Sequence, residues 1–253
     1  MVYVLIMSKI SICCPVYTMK GKTAEKFLVE YLSHLMYQSF KDFDIVISDQ
    51  SEGDNLKVIC DTFSHVLDIK YFKNTSGKKN AANNVNNAVR HATGDIIKLL
   101  YMDDFFVDQD ALLKIINAFE RTNPDGKWLI SGFTHSNEDR TQFFDTRKPW
   151  YGNKYVNGDN TTGNPSNYAV RNNCAIEMDD DLLWIVDGEY FYRSYYYHGD
   201  PIMIDDVLVC FREHGSSAFR DPKFQELDVK ERQYCIDKYN GTMPTKEVAL
   251  NWK

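Results

Sequence analysis

Short apolar runs alternate with longer stripes of helical spacing along the first half of the chain, and this alternation leaves few folds open. Residues 10–14 (ISICC) read as a buried strand that Pro15 stops. Over 23–39, Phe27, Leu28, Tyr31, Leu32, Leu35 and Met36 recur at the three- and four-residue steps of one helix face. FDIVIS (43–48), VLDIKYF (66–72), IIKLLY (96–101) and WLISGF (128–133) read as further strands. A helix over 80–93 carries Ala81, Ala82, Val85, Ala88, Val89 and Ala92 on one stripe, with Gly94 where a left-handed stop belongs. Asp108 is the expected N-cap of another, which carries Leu112, Ile115, Ile116 and Phe119. Strands that alternate with helices imply a mostly parallel sheet covered on both faces.

The pattern weakens after 133. Residues 134–166 are polar and rich in Gly, Pro, Asn and Asp, and read as long loops. A helix near 180–198 ends at Gly199, 202–212 reads as a strand and 223–239 as a terminal helix. The expected organisation is one domain over 1–253, with a nucleotide-binding-like half (1–133) and a loop-rich half (134–253). A net charge of −7 argues against a general nucleic-acid binder, whose footprint is basic. No run reaches the roughly 18 apolar residues of a membrane helix. The opening MVYVLIM is too short to span and lacks the basic start and cleavage site of a signal peptide. The six cysteines show no C-x-x-C and no metal-ligand spacing, and adjacent Cys13 and Cys14 point to opposite faces of a strand. Reduced thiols in a cytoplasmic protein are expected.

In sheets of this kind ligands bind beyond the carboxyl ends of the strands. Pro15-Val16-Tyr17, Asp49, Asn74 and the pair Asp103-Asp104 fall there. Two like charges about 4 Å apart repel by roughly 4 kcal/mol at an effective dielectric of about 20, so the aspartate pair asks for something to neutralise it. Three readings are open: a solvated acidic turn before a helix, a metal on a nucleoside triphosphate, or a metal on a sugar nucleotide. The second would use PVYTMKGKT (15–23), which ends in Gly21-Lys22-Thr23, as a phosphate-binding loop. That motif needs glycine where this chain has Val16, and a β-branched residue suits the required backbone poorly.

The third reading gathers support along the chain. ISICCPVYTM (10–19), YLSHLMYQSFKDFDIVISDQSEGD (31–54), NNAVRHATGDIIKLLYMDD (86–104), GNPSNYAVR (163–171), LLWIVDGEYFYR (182–193) and VCFREHGSSAF (209–219) stand in the order of corresponding segments in family 2 glycosyltransferases. The chain resembles that family over nearly its whole length. The resemblance implies the GT-A fold: a Rossmann-like, mostly parallel sheet with helices on both faces, a nucleotide-sugar half and an acceptor-side C-terminal half. It implies an inverting transfer from a nucleoside-diphosphate sugar to a hydroxyl of a glycan, lipid-linked or other acceptor. Pro15, Tyr17, Asp49 and Asp103 would bind the nucleotide, with Asp49 on the base. Asp103, Asp104 and His214 would hold Mn2+ or Mg2+, and Asp187 would be the general base. Tyr101 stands where many members carry the first carboxylate of the metal motif, and Gln50 where a second acid is common.

The chemistry asks for such residues. Hard divalent ions take carboxylate and phosphate oxygens, often with one or two protein carboxylates. The attacking hydroxyl must lose a proton to a base opposite the leaving group. Asp187 and Glu189 both lie in the right segment, about 200° apart if it is helical, so one site holds only one of them. Asp187 can equally cap the helix start. Arg193 and Arg212 can meet a diphosphate or pair with nearby acids, and the tyrosines at 195–197 suit core packing. A carboxylate at Asp49 would accept the N3–H of uracil, which favours UDP over CDP and leaves GDP and dTDP open. A nucleotide hydrolase and a sugar-binding module without turnover remain the alternatives.

Overall fold

The alternation becomes a nine-stranded sheet with helices packed on its two faces. A computed structural model describes residues 9–19, 21, 23–152, 160–215 and 223–239. The MVYVLIM opening, Lys22 and the Ser217 that closes the last family-like segment lie outside them. In chain order the elements are β1 (Ile10–Val16), α1 (Thr23–Met36), β2 (Phe43–Asp49), α2 (Asn55–Phe63), β3 (Ile69–Lys73), α3 (Ala81–His91), β4 (Ile96–Leu99) and β5 (Phe105–Phe106). They continue with α4 (Ala111–Asn117), β6 (Trp128–Ser136), β7 (Phe143–Arg147), β8 (Tyr168–Arg171), α5 (Val186–His198), β9 (Ile202–Arg212) and α6 (Lys223–Lys238).

The strand order is β3-β2-β1-β4-β8-β6-β9-β5, with β7 paired to the free end of β6. The β1–β2, β2–β3, β1–β4 and β6–β9 ladders are parallel and are the longer ones. Short β8 is inserted antiparallel between β4 and β6, so the two halves of the chain share one sheet. Alternate residues of a strand face opposite sides, and the core divides accordingly. Ile10, Ile12, Cys14 and Val16 pack with the buried faces of α1, α2 and α4. Cys13 packs on the other side with Val46, Ile97 and Leu99, against α3 and α5. The six cysteines are free thiols.

Several expectations need correction. β1 does not stop at Pro15 but runs to Val16. Cys13 O accepts from Leu100 N on the β4 side and Val16 O from Gln50 N on the β2 side. Pro15 therefore faces β4, which has already ended opposite Cys13, and no ladder bond needs its missing N–H. Gly94 is not a left-handed stop, since α3 caps at Ala92. It is required because a Cβ there would lie 2.6 Å from Ser11 N. Residues 134–166 are not all loop: β6 continues to Ser136 and pairs with β7. The β7 side chains are all exposed, so no alternation marks it in the sequence. α5 begins at Val186, later than 180, and α4 passes into a π-helical turn at Ala118–Thr122. Asp108 is not the N-cap of α4, which is Asp110, but it braces the approach: its carboxylate accepts from Asp110 N and Lys114 Nζ.

Candidate active site

The carboxyl ends of β1, β2 and β4 open onto a cavity of about 590 Å3, lined by Pro15, Tyr17, Gln50, Asn84, Asp103 and His214 among others. Beside it lies a second cavity of about 480 Å3, whose walls include Asp103, Asp104, His135, Arg147, Trp184 and Asp187. Asp103 borders both.

The aspartate pair is built from three directions. β4 ends at Leu99, and the chain turns so that Asp104 N donates to Tyr101 O. Gly163–Ser166 then closes from the β8 side. Ser166 Oγ accepts from Tyr101 N (2.9 Å), and Asn164 Nδ2 donates to Asp104 Oδ2 (2.9 Å). Gly163 takes φ +90°, and a Cβ there would lie 2.7 Å from the Phe211 ring, so only glycine passes. From β9, Arg212 N donates to Asp104 Oδ1 (3.1 Å). Arg212's guanidinium turns away to Glu30 (2.7 Å), over the Phe27 ring. His214 Nε2 lies 3.1 Å from Asp103 Oδ2.

Burial first, and then the charge of Asp103, push the Asp104 carboxyl up to about 8. That cost of carrying both charges, with the Asp103 carboxylate and the His214 imidazole on one cavity wall, fits a hard divalent cation. The expected ligands are not equivalent, however. Asp103 and His214 line the first cavity, whereas Asp104 lines the second and is already held by Arg212 N and Asn164. Another acidic group, Asp179–Asp181, clusters more tightly. Its carboxylates are taken by Lys78, Lys238 and Tyr234, so it is an ion-pair network.

Asp49 departs from expectation. Its side chain is fully buried, Oδ1 accepts from Ser51 N (2.7 Å), and Oδ2 accepts from Lys73 Nζ (3.2 Å) and Tyr71 OH. It does not line the cavity; the next residue does. Gln50 Nε2 donates to Lys78 O (2.9 Å) and Asn83 Oδ1 (3.1 Å), which uses both amide hydrogens and leaves Oε1 as an acceptor. The sequence marked Gln50 only as a departure from the family pattern. Val16 pairs in strand register with Asp49, so its backbone is not part of a phosphate-cradling loop.

The structure also separates the two acids of α5. Asp187 lines the second cavity, and burial alone pushes it up to about 7. No hydrogen bond to its carboxylate is formed among the described residues. Glu189 is buried in a cage: Arg193 grips it twice (2.7 and 2.8 Å), with Lys238 Nζ at 3.0 Å and Tyr239 OH alongside. Burial raises its proton affinity, but the charge and hydrogen bonds of Arg193 outweigh this and hold the carboxyl below its usual range. Arg193 is thereby a structural partner of Glu189. Glu189→Gln should lower unfolding free energy by about 3 kcal/mol, the usual cost of breaking one side of a buried ion pair. Donor affinity of the folded protein should be unchanged. Denaturant melts and nucleotide titration together check this, and an unaltered melt with weakened nucleotide binding would reverse the assignment.

The family model for glycosyl transferase family 2 matches residues 11–184. The GalNAc(5)-diNAcBac-PP-undecaprenol β-1,3-glucosyltransferase of Campylobacter jejuni is 29% identical over 99 residues, 39% of this chain and 30% of its own length. Residues 1–349 of S. aureus TarS in complex with UDP-GlcNAc superpose with a TM-score of 0.67 at 15% identity, over 90% of this chain and 66% of that one. The mannosyltransferase PcManGT from Pyrobaculum calidifontis, in complex with GDP-Man and Mn2+, gives a TM-score of 0.59 at 14% identity, over 92% and 63%. At these identities the two structures speak to the fold alone. The chain spans less than a third of the curated relative and under two thirds of each of these structures.

Proposed function

The chain belongs to glycosyl transferase family 2 and has the GT-A fold, and on that premise we propose that it moves a sugar from a nucleoside-diphosphate donor to a hydroxyl acceptor with inversion. The observation that carries this reading is the shared wall: Asp103 borders both cavities, and Asp187 stands in the second with no partner for its charge among the described residues. The nucleotide occupies the first cavity and the acceptor the second. The acceptor oxygen attacks the anomeric carbon and forms the new glycosidic bond. The bond to the diphosphate breaks, and the leaving group keeps the electron pair. The hydroxyl proton passes to a carboxylate oxygen of Asp187, whose proton affinity near neutrality suits a general base.

Asp103 and His214 would hold Mg2+ or Mn2+, with Asp104 beneath them; when bound, such an ion stabilises charge on the departing diphosphate as a Lewis acid. The acceptor is a glycan or lipid-linked glycan hydroxyl. The name of the C. jejuni relative carries a polyprenyl-diphosphate substrate. Among the described residues no helix is long and apolar enough to cross a membrane, so any contact with a lipid-linked acceptor would be peripheral for this part of the chain.

The donor nucleotide in this reading is UDP. The solved relatives carry both UDP-GlcNAc and GDP-Man, so the likeness does not select the base. Gln50 supports the choice: with both amide hydrogens engaged, Oε1 accepts from uracil N3–H, and cytosine has no such donor. Gln50→Ala should weaken UDP by about fivefold, the worth of one neutral hydrogen bond of about 1 kcal/mol. Asp49→Ala should act indirectly, by releasing Tyr71 and Lys73. Calorimetry with UDP, GDP, CDP and dTDP in the presence of Mn2+ tests the reading. Tighter binding of GDP or CDP than of UDP would overturn it.

A further inference from the structure

α6 lies beyond the family match, which ends at residue 184, and contributes no strand or cavity wall to the site described above. Its contacts nonetheless converge on the segment that carries Asp187. Glu231, 6% exposed, reaches the residues before α5: Oε1 accepts from Leu183 N (2.9 Å), and Oε2 from Trp184 N (2.9 Å) and Ile185 N (3.0 Å). Ile185 is the N-cap of α5 and offers no side-chain cap of its own. One turn earlier on α6, Asp228 accepts from Trp184 Nε1 (3.1 Å) and is itself gripped by Arg232 (2.6 and 2.9 Å). At the far end of α6, Lys238 and Tyr239 hold Glu189. The helix therefore fastens the backbone two residues before Asp187 and the side chain two residues after it, while Asp187 itself, on the cavity wall, is held by no side chain among the described residues.

We propose that α6 is the positioning element for Asp187, with Glu231 as its principal residue: the carboxylate sets the path of 183–185 and so the point from which Asp187 enters the second cavity. This rests on the reading of Asp187 as the general base. Three charge-assisted bonds to consecutive backbone N–H groups are strong and directional, and no side chain within the segment replaces them. A shift of about 1 Å in a reacting group can cost about 100-fold in rate.

The test measures UDP release from UDP-glucose, UDP-galactose, UDP-GlcNAc and UDP-GalNAc with Mn2+, water standing in for the acceptor, and continues with the fastest donor. Glu231→Ala should lower kcat by about 10- to 100-fold, with donor KM and UDP affinity within about twofold of wild type. Glu231→Gln keeps the length and an oxygen that can accept two of the three N–H groups, so it should recover most of the rate. If Glu231→Ala does not fold, Glu231→Asp decides: it keeps the charge but draws the segment back, and should lose about tenfold in kcat at unchanged donor affinity. Wild-type kcat in the folded variant, a parallel loss of donor affinity, or Gln no better than Ala would overturn the proposal. Asp187→Asn is measured alongside. If it loses its rate while Glu231→Ala keeps the wild-type kcat, only the positioning role falls; if it is fully active, or no UDP-sugar is turned over, the base reading falls and this proposal with it.

Discussion

Asp187→Asn should lower kcat by about 10²–10⁴-fold, the usual worth of a positioned general base, with donor KM little changed. Asn keeps the shape of the side chain and cannot accept the proton. The pH dependence makes the test sharper. Burial pushes the wild-type carboxyl up to about 7, so the rate should rise with pH through about 7 and level off above it. The variant should lack that limb. Stability should move the other way. A carboxyl raised in the folded state holds its proton more tightly there than in the unfolded chain. Folding stability is therefore present below the ordinary carboxylate range and is lost as pH climbs towards 7. Asn has no such loss, so Asp187→Asn should melt higher than wild type at pH 8 and close to it at pH 4. A variant that melts lower at pH 8 and retains its rate would mark Asp187 as a structural residue and not the base.

The second large effect concerns Asp103. Asp103→Asn should abolish metal-dependent transfer, and UDP affinity should become indifferent to Mn2+ and EDTA. Asp103 is the carboxylate that both cavities share, and His214 Nε2 lies 3.1 Å from it. Removing its charge leaves a divalent ion with the imidazole and with Asp104, whose oxygens are engaged by Arg212 N and Asn164. Hard ions need anionic oxygen, and an imidazole alone is a poor substitute. Calorimetric titration of UDP into wild type and variant, each with Mn2+ and with EDTA, reads the difference directly. Equal wild-type affinity in both conditions, with full activity in EDTA, would contradict metal involvement.

Much of this architecture was written in local patterns. The ISICC run, the α1 stripe and the strand leading to Asp103 are legible because burial on one or both faces imposes a period on the residues. Features that depend on partners distant in sequence were not. Pro15 reads as a stop because a strand interior wants its N–H, and only the early end of β4 removes that need. β8 has four residues and no periodicity, yet it joins the two halves of the sheet. The corner after α1 carries no periodicity that would announce its role. Gln38 in fact pins the entry to α4, donating to Asp108 O and accepting from Leu112 N.

The site divides the same way. The sequence brought Asp103, Asp104, Asp187 and His214 forward as candidates, and the fold gathers them around two adjoining cavities. Helical spacing separates Asp187 and Glu189 by angle without saying which side faces the cavity, and it is the family resemblance that favours Asp187. The cage of Arg193, Lys238 and Tyr239 around Glu189 makes that distinction. Asp49 reads as available because a strand-end carboxylate gives no local sign of the Tyr71, Lys73 and Ser51 that surround it in the fold. Glu231 had no local signal at all, since its partners lie 46–48 residues away.

The most direct test is a crystal structure grown with UDP and Mn2+, with anomalous data collected at the manganese edge. The expected result is one manganese on Asp103, the UDP diphosphate beside it in the first cavity and the uracil edge at Gln50 Oε1. A manganese at Asp179–Asp181, or UDP bound outside the first cavity, would contradict it.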